Sequence, residues 1–234
     1  MTLSRLLMLA ALAAVAACAA PPDHFHTLRP AVAPAPAPAG TREAARLLAI
    51  GPVTVPDALA RDEWVIRTGD TGAMVYGHQL WTQGLGADIA QSLADYLNRG
   101  GLADGLWADA GPTGSGSGAD LERPPPLRVR VQVLRFDSML APAPAIADQL
   151  RWTIECLPVE AAPGAVDAGR YRVVRTAVRD SAGPAPPANA GVDESQRRFD
   201  QVARAHSDSV RQVAEDVAAA LRATAAERAQ SCRR

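Results

Sequence analysis

Few residues in the chain have the type and spacing to do chemistry, and a cysteine near its start is the clearest of them. Val15-Ala16-Ala17-Cys18 closes an unbroken apolar run over residues 6–17, preceded by a single positive charge at Arg5. About a dozen apolar residues are too few for a transmembrane helix, which needs roughly 20. Small residues directly before a cysteine at the end of such a run have the form of a lipobox. The thiol would take a diacylglyceryl group, and cleavage before Cys18 would free an amine for a further acyl chain. At roughly 0.8 kcal/mol per buried methylene, one chain anchors marginally, whereas two or three hold firmly. The plainer reading is a cleaved signal peptide with an incidental cysteine. Ala19 after the cysteine, in place of Asp, points by the sorting rule of enteric bacteria to the outer membrane.

The remaining candidates are weaker. An oxidising compartment would permit a disulfide between Cys156 and Cys232, although Cys232, close to the C-terminal end, could equally stay a free thiol. His24 and His26 alternate on a short strand and would share one side, half of a metal site with nothing in the sequence to complete it. A surface strand is the simpler expectation, and no metal is expected. His206 falls on an apolar helix stripe and reads as a buried, hydrogen-bonded histidine. Gly114-Ser115-Gly116-Ser117-Gly118-Ala119 has dinucleotide-loop spacing, but it leads into Pro124-Pro125-Pro126, where no helix can open. No cofactor is therefore expected.

All 24 positive side chains are arginine. Without lysine there is no Walker A loop and no Schiff-base nucleophile. A formal charge of -1 argues against a nucleic-acid partner. Arg128, Arg130, Arg151 and Arg172 fall on neighbouring strands. Alternation puts Arg128 and Arg130 on one polar face, and Arg151 with Glu155 on another. They form either an exposed guanidinium patch for phosphates or an acidic partner, or cross-strand pairs with carboxylates such as Glu155.

The elements that would hold these residues follow from periodicity. A short strand at 24–28 precedes a Pro/Ala tract at 30–40, which composition alone reads as a tether. A strand over 47–55 is broken by Gly51-Pro52. Trp64–Thr68 and Ala73–Tyr76 flank turn residues and form a hairpin, with at least one strand buried on both faces. Trp81, Leu85, Ile89, Leu93 and Leu97 recur every four residues, a helix stopped by Gly100-Gly101. A short strand at 106–108 and flexible loops at 111–126 and 183–191 follow from composition. Val129, Val131 and Val133, then Leu150, Trp152, Ile154 and Cys156, then Tyr171, Val173 and Ala177 alternate with polar residues, an antiparallel meander with one wet face. A long helix over 193–229 carries Phe199, Val202, His206, Val210, Val213, Val217 and Leu221 on one stripe. The fold class is α+β, a single domain with a mixed or antiparallel sheet and two main helices packed on one face.

Ile50-Gly51-Pro52-Val53-Thr54-Val55-Pro56, Val65-Ile66-Arg67-Thr68-Gly69, the Trp81 helix, Val129 through Asp137 and Ala205-His206-Ser207 occur here in one order. With the lipobox and the early strand ending Thr27-Leu28, that order resembles the PqiC-like auxiliary lipoproteins of ABC-type intermembrane transporters. The resemblance implies a non-enzymatic lipoprotein on the periplasmic face of the outer membrane, held by acylated Cys18. It implies as partners a periplasmic protein with mammalian-cell-entry (MCE) domains and its inner-membrane permease and ATPase, and some relatives form homo-oligomeric rings. It also moves the strand at 24–28 into the sheet, making 30–40 an internal loop. The organisation is then a signal peptide at 1–17, a lipidated tether at 18–23 and a domain over 24–230. Loops at 111–126, 141–146 and 183–191 are longer than in shorter relatives. The alternatives are an envelope-assembly scaffold and a lipid-anchored hydrolase, for which no catalytic triad can be composed from the sequence.

Overall fold

The computed structural model describes residues 21–29, 48–99, 127–156, 172–182 and 192–223. The signal segment 1–17, Cys18, the tract 30–40, the strand expected at 106–108, the loops 111–126 and 183–191, and Cys232 lie outside the described residues.

The longest alternating segment organises the sheet. β5 (Leu127–Met139) buries Leu127, Val129, Val131 and Val133 while Arg130 and Gln132 stay exposed. β6 (Ala145–Cys156) and β7 (Arg172–Ala182) continue from it, β5 antiparallel to β6 and β6 to β7, the expected meander. β6 takes in Ala145 and Ile146, which sequence reasoning assigns to a loop. They pair with Met139 and Ser138, so the connection between the strands is correspondingly shorter.

The other edge of β5 is shared. β2 (Leu48–Thr54) runs parallel to its first half, and β3 (Glu63–Arg67) meets its far end at Met139, also parallel. Gly51 and Pro52 sit at an irregularity in the β2–β5 register, between Ile50 and Val53. Proline cannot donate to a ladder, so this is where a bulge falls. β3 turns into antiparallel β4 (Ala73–Trp81), and β1 (His24–His26) closes that edge parallel to the end of β4. Seven strands thus form one mixed sheet.

Two helices cover one face. α1 (Leu85–Arg99) packs over β2 and α2 (Val192–Ala223) over β6, and the helices touch each other. The α2 stripe from Phe199 to Leu221 is buried as its spacing predicts. Two glycines set up α1. Gly84, with φ +74, takes the left-handed turn before the helix, and a Cβ on Gly86 would stand 3.2 Å from the carbonyl oxygen of Val53.

Three expectations are corrected. Trp81 ends β4 instead of opening the helix, because its four-residue spacing to Leu85 only continues the core pattern across a turn. Neither hairpin strand is buried on both faces: Trp64 and Ile66 alternate with half-exposed neighbours, and β4 is exposed along most of its first half. β1 is an edge strand, but it turns His26 inward under α2, where it is 6% exposed instead of on the surface.

Candidate functional site

The chain has ten Phe, Trp and Tyr residues, and five gather at one place. Trp64 of β3 and Trp81 of β4 lie 4.5 Å apart by ring centroids, with Phe199, Tyr76 and Phe136 around them. Two histidines complete the cluster. His206 stacks on Phe136 at 3.9 Å with 13° between planes, and His26 meets Trp64 edge-on at 4.7 Å.

His206 is fully buried, and both of its nitrogens are engaged. Nδ1 lies 2.9 Å from Asp148 Oδ2 and Nε2 2.8 Å from Ser138 Oγ. The indole N–H of Trp64 donates to the same Ser138 oxygen at 2.8 Å. An indole can only donate. Ser138 therefore accepts from Trp64 and donates its own O–H to Nε2, leaving Nδ1–H to donate to Asp148. Acid, imidazole and hydroxyl stand in the order of a hydrolytic triad. A nucleophile must also reach a substrate carbon, and here Ser138 is 0% exposed, Asp148 1%, and the serine oxygen is covered by an indole. The arrangement ties β3, β5, β6 and α2 together through groups that burial would otherwise penalise.

Sequence reasoning missed this set, although half of the signal was present. Asp148 keeps the period-two phase of Ile146, Leu150, Trp152 and Ile154, so the pattern alone puts a carboxylate on the core face. Ser138 was hidden by a register shift between Val133 and Arg135, which reverses which residues of β5 face inward.

The second histidine is wired differently. His26 Nε2 lies 2.6 Å from Gln79 Oε1, Gln79 donates to Gln196, and Gln196 donates to Asp200. Burial pushes the His26 imidazole below its ordinary value, outweighing the Gln79 bond and the Asp200 charge; the His24 charge lowers it further. Beside it, Asp88 on the first turn of α1 is 0% exposed and accepts from the Thr82 and Thr27 hydroxyls. Burial raises its carboxyl, against those hydrogen bonds.

The segment following β1 is held from both helices. Ser92 of α1 and Ser207 of α2 both donate to the Leu28 carbonyl, at 3.0 and 2.7 Å, and the Leu28 side chain is fully buried. Arg29 then pairs with Asp95 at 2.7 Å.

Arg128, Arg130 and Arg151, three of the arginines expected at a surface, are on the sheet face away from the helices. Arg128 is half-buried, Arg130 and Arg151 are exposed, and Arg130 pairs with Glu155 at 2.9 Å. The register sets Arg128 opposite Glu155 and Gln132 opposite Arg151, so all four share one face and not two. Directly opposed residues of an antiparallel pair point the same way. The Arg172 backbone lies opposite Glu155 in β7. Cys156 ends β6, but its expected partner Cys232 lies outside the described residues. Among the described residues no group of three His, Cys, Asp or Glu could hold a metal ion, and no helix is long and apolar enough to cross a membrane.

Comparison with known proteins agrees with this architecture. A family model described as ABC-type transport auxiliary lipoprotein component matches residues 26–227. The crystal structure of protein XCC0632 from Xanthomonas campestris superposes with a TM-score of 0.57 at 12% identity, over 88% of this chain and 98% of its own. At that identity the likeness speaks to the fold alone. A second solved structure, of an uncharacterized protein, matches at 18% identity over 84% of this chain and 99% of its own, with a TM-score of 0.48. No curated protein matches the chain significantly.

Proposed function

The chain belongs to the ABC-type transport auxiliary lipoprotein family, and is thereby a non-enzymatic periplasmic lipoprotein serving an ABC transporter; from that premise we propose that it is an outer-membrane anchor for an MCE-type lipid transport system. Cys18 carries the acyl chains after removal of residues 1–17, and the domain meets an MCE-domain protein and its inner-membrane permease and ATPase. Copies of the domain associate with one another, as in ring-forming relatives. The sheet face with Arg128, Arg130 and Arg151, bordered in register by Arg172, is the proposed surface for phosphates or carboxylates of the partner.

The observation that carries the reading is how early the chain is tied into the fold. His24 is already in the sheet and the Leu28 carbonyl is clamped by two serines. Five residues separate Cys18 from His24, so the two lie at most about 22 Å apart. A tether that short makes the mechanism positional: the anchor fixes the domain against the membrane, and an outward surface engages the transporter.

The test joins fractionation with affinity capture. The wild-type protein is expected in the outer-membrane fraction and to co-purify with the MCE-domain protein, whereas Cys18→Ser moves to the soluble periplasm. A labelled acyl group persisting on the Cys18→Ser variant would refute the lipobox. Failure of folded wild-type protein to capture the MCE protein would refute the partner.

A further inference from the structure

The large apolar side chains left exposed among the described residues are Phe25 at 63%, Met74 at 51% and Val75 at 46%. All three lie on the same edge of the sheet, in β1 and β4. Nothing in the fold requires that coincidence.

The chain enters the sheet at that edge. β1 is parallel to the end of β4, with His24 beside Gln79, so the residues before His24 approach from the side on which β4 begins. Asp23 confirms the direction, pairing with the imidazole of His78 at 2.8 Å. Cys18 precedes Pro21 by three residues, which span at most about 11 Å. Met74 and Val75 lie three to four residues before His78 on β4, a distance of roughly 10–13 Å along the strand. The end of the edge that carries Met74 and Val75 is therefore within reach of an anchor at Cys18.

We infer that the β1–β4 edge lies on the bilayer that holds the acyl chains of Cys18, with Phe25, Met74 and Val75 in its interfacial layer. The inference rests on the acylation of Cys18 proposed above. Two features favour lipid over a protein partner. Met74 stands opposite Ile66, on the core side of the hairpin, and Val75 opposite Val65, on the other side. Successive strand residues point to opposite faces, so a partner packed against one face would leave the other residue wet, whereas a lipid interface accepts both. The polar groups of Asp23 and His78, between the apolar positions, already face each other at 2.8 Å. The acyl chains supply most of the binding, and the edge sets the orientation of the domain, which leaves the arginine-bearing sheet face free of the membrane.

The test uses the full acylated lipoprotein in vesicles of phosphatidylethanolamine and phosphatidylglycerol, part of the lipid carrying brominated acyl chains. An environment-sensitive fluorophore is attached at Phe25→Cys, Val75→Cys or, as the remote control, Arg151→Cys, each with Cys156→Ser and Cys232→Ser. Quenching and a blue shift at positions 25 and 75, with neither at 151, support the inference. If the protein floats with the vesicles while all three positions report water, the inference fails and acylation stands. If the protein does not float, the acylation reading fails and the inference with it. Shielding at position 75 that ignores bromine and grows with the ratio of protein to lipid identifies a second copy as the occupant, and overturns the inference too. Hydrogen exchange on the unlabelled protein guards against misfolded variants. Amides of residues 73–78 are expected to exchange more slowly in the vesicle-bound form than in soluble Cys18→Ser protein, and equal rates overturn the proposal.

Discussion

Two histidines touch the same tryptophan and are held by opposite means. His206 sits between α2 and the long strands, with Asp148, Ser138 and Phe136 around it, each no more than 3% exposed. His26 sits at the β1 edge, and its polar connections run through Gln79 and Gln196 to Asp200, whose side chain is 41% exposed. The first network is sealed, so every member depends on the others. The second leads to water, and its members can be resolvated when one is lost. The central network is built to be lost as a unit, whereas the edge that receives the N-terminal segment is joined to solvent through Asp200.

Breaking the sealed side should have the largest effect. His206→Ala leaves the buried Asp148 without its hydrogen-bond partner, a cost of about 1–3 kcal/mol, and the gap it opens against Phe136 adds the loss of packing to that. Chemical denaturation should show that loss, whereas His26→Ala should cost clearly less. Equal losses would mean that the edge network is as closed as the central one.

The junction between the two regions comes next. Ser92→Ala with Ser207→Ala strips both donors from the Leu28 carbonyl, and a buried unsatisfied acceptor costs about 1–3 kcal/mol. Each single variant should cost little, since the other hydroxyl remains. The double variant should exceed the sum of the singles. Strict additivity would show that the serines do not share the acceptor.

The smallest expected effect is a pH slope. The folded His26 value lies below its ordinary 6.5, so the unfolded chain binds more protons between the two. Stability is then full above about 6.5 and is lost as pH falls through the folded value. Asp88 has the opposite sign: its folded value lies above 3.8, so its contribution is present at low pH and is lost as pH rises through that value. Thermal midpoints between about pH 7.5 and about pH 5 should fall less steeply for His26→Gln than for wild type. An unchanged slope would place the titration elsewhere.

Legibility followed the kind of signal each residue carries. The α2 stripe and the valines of β5 could be read because a single period governs long runs, and the burial of His206 followed from its place on that stripe. The spacing of Trp81 does not reveal its place in β4, because residues four apart continue a core pattern across a strand–helix turn as readily as along a helix. Alternation fixes faces within a strand but not between strands, so the sequence does not relate Arg151 to Arg128; the pairing of Gln132 with Arg151 does. Ser138 was lost to a bulge that no local pattern announces.

By itself the sequence determined the elements, the α+β class, the lysine-free chemistry, and the Cys18 motif whose order with the later segments resembles a transport lipoprotein. These are local or compositional properties, readable without knowing what lies opposite. Tertiary structure alone decided that Asp148, His206, Ser138 and Trp64 meet, that two serines from different helices hold one carbonyl, and that Phe25, Met74 and Val75 share an edge. Each of those depends on register between segments far apart in the chain. A shift of one residue reverses the face of every side chain on a strand, and that choice is made by packing against the rest of the molecule.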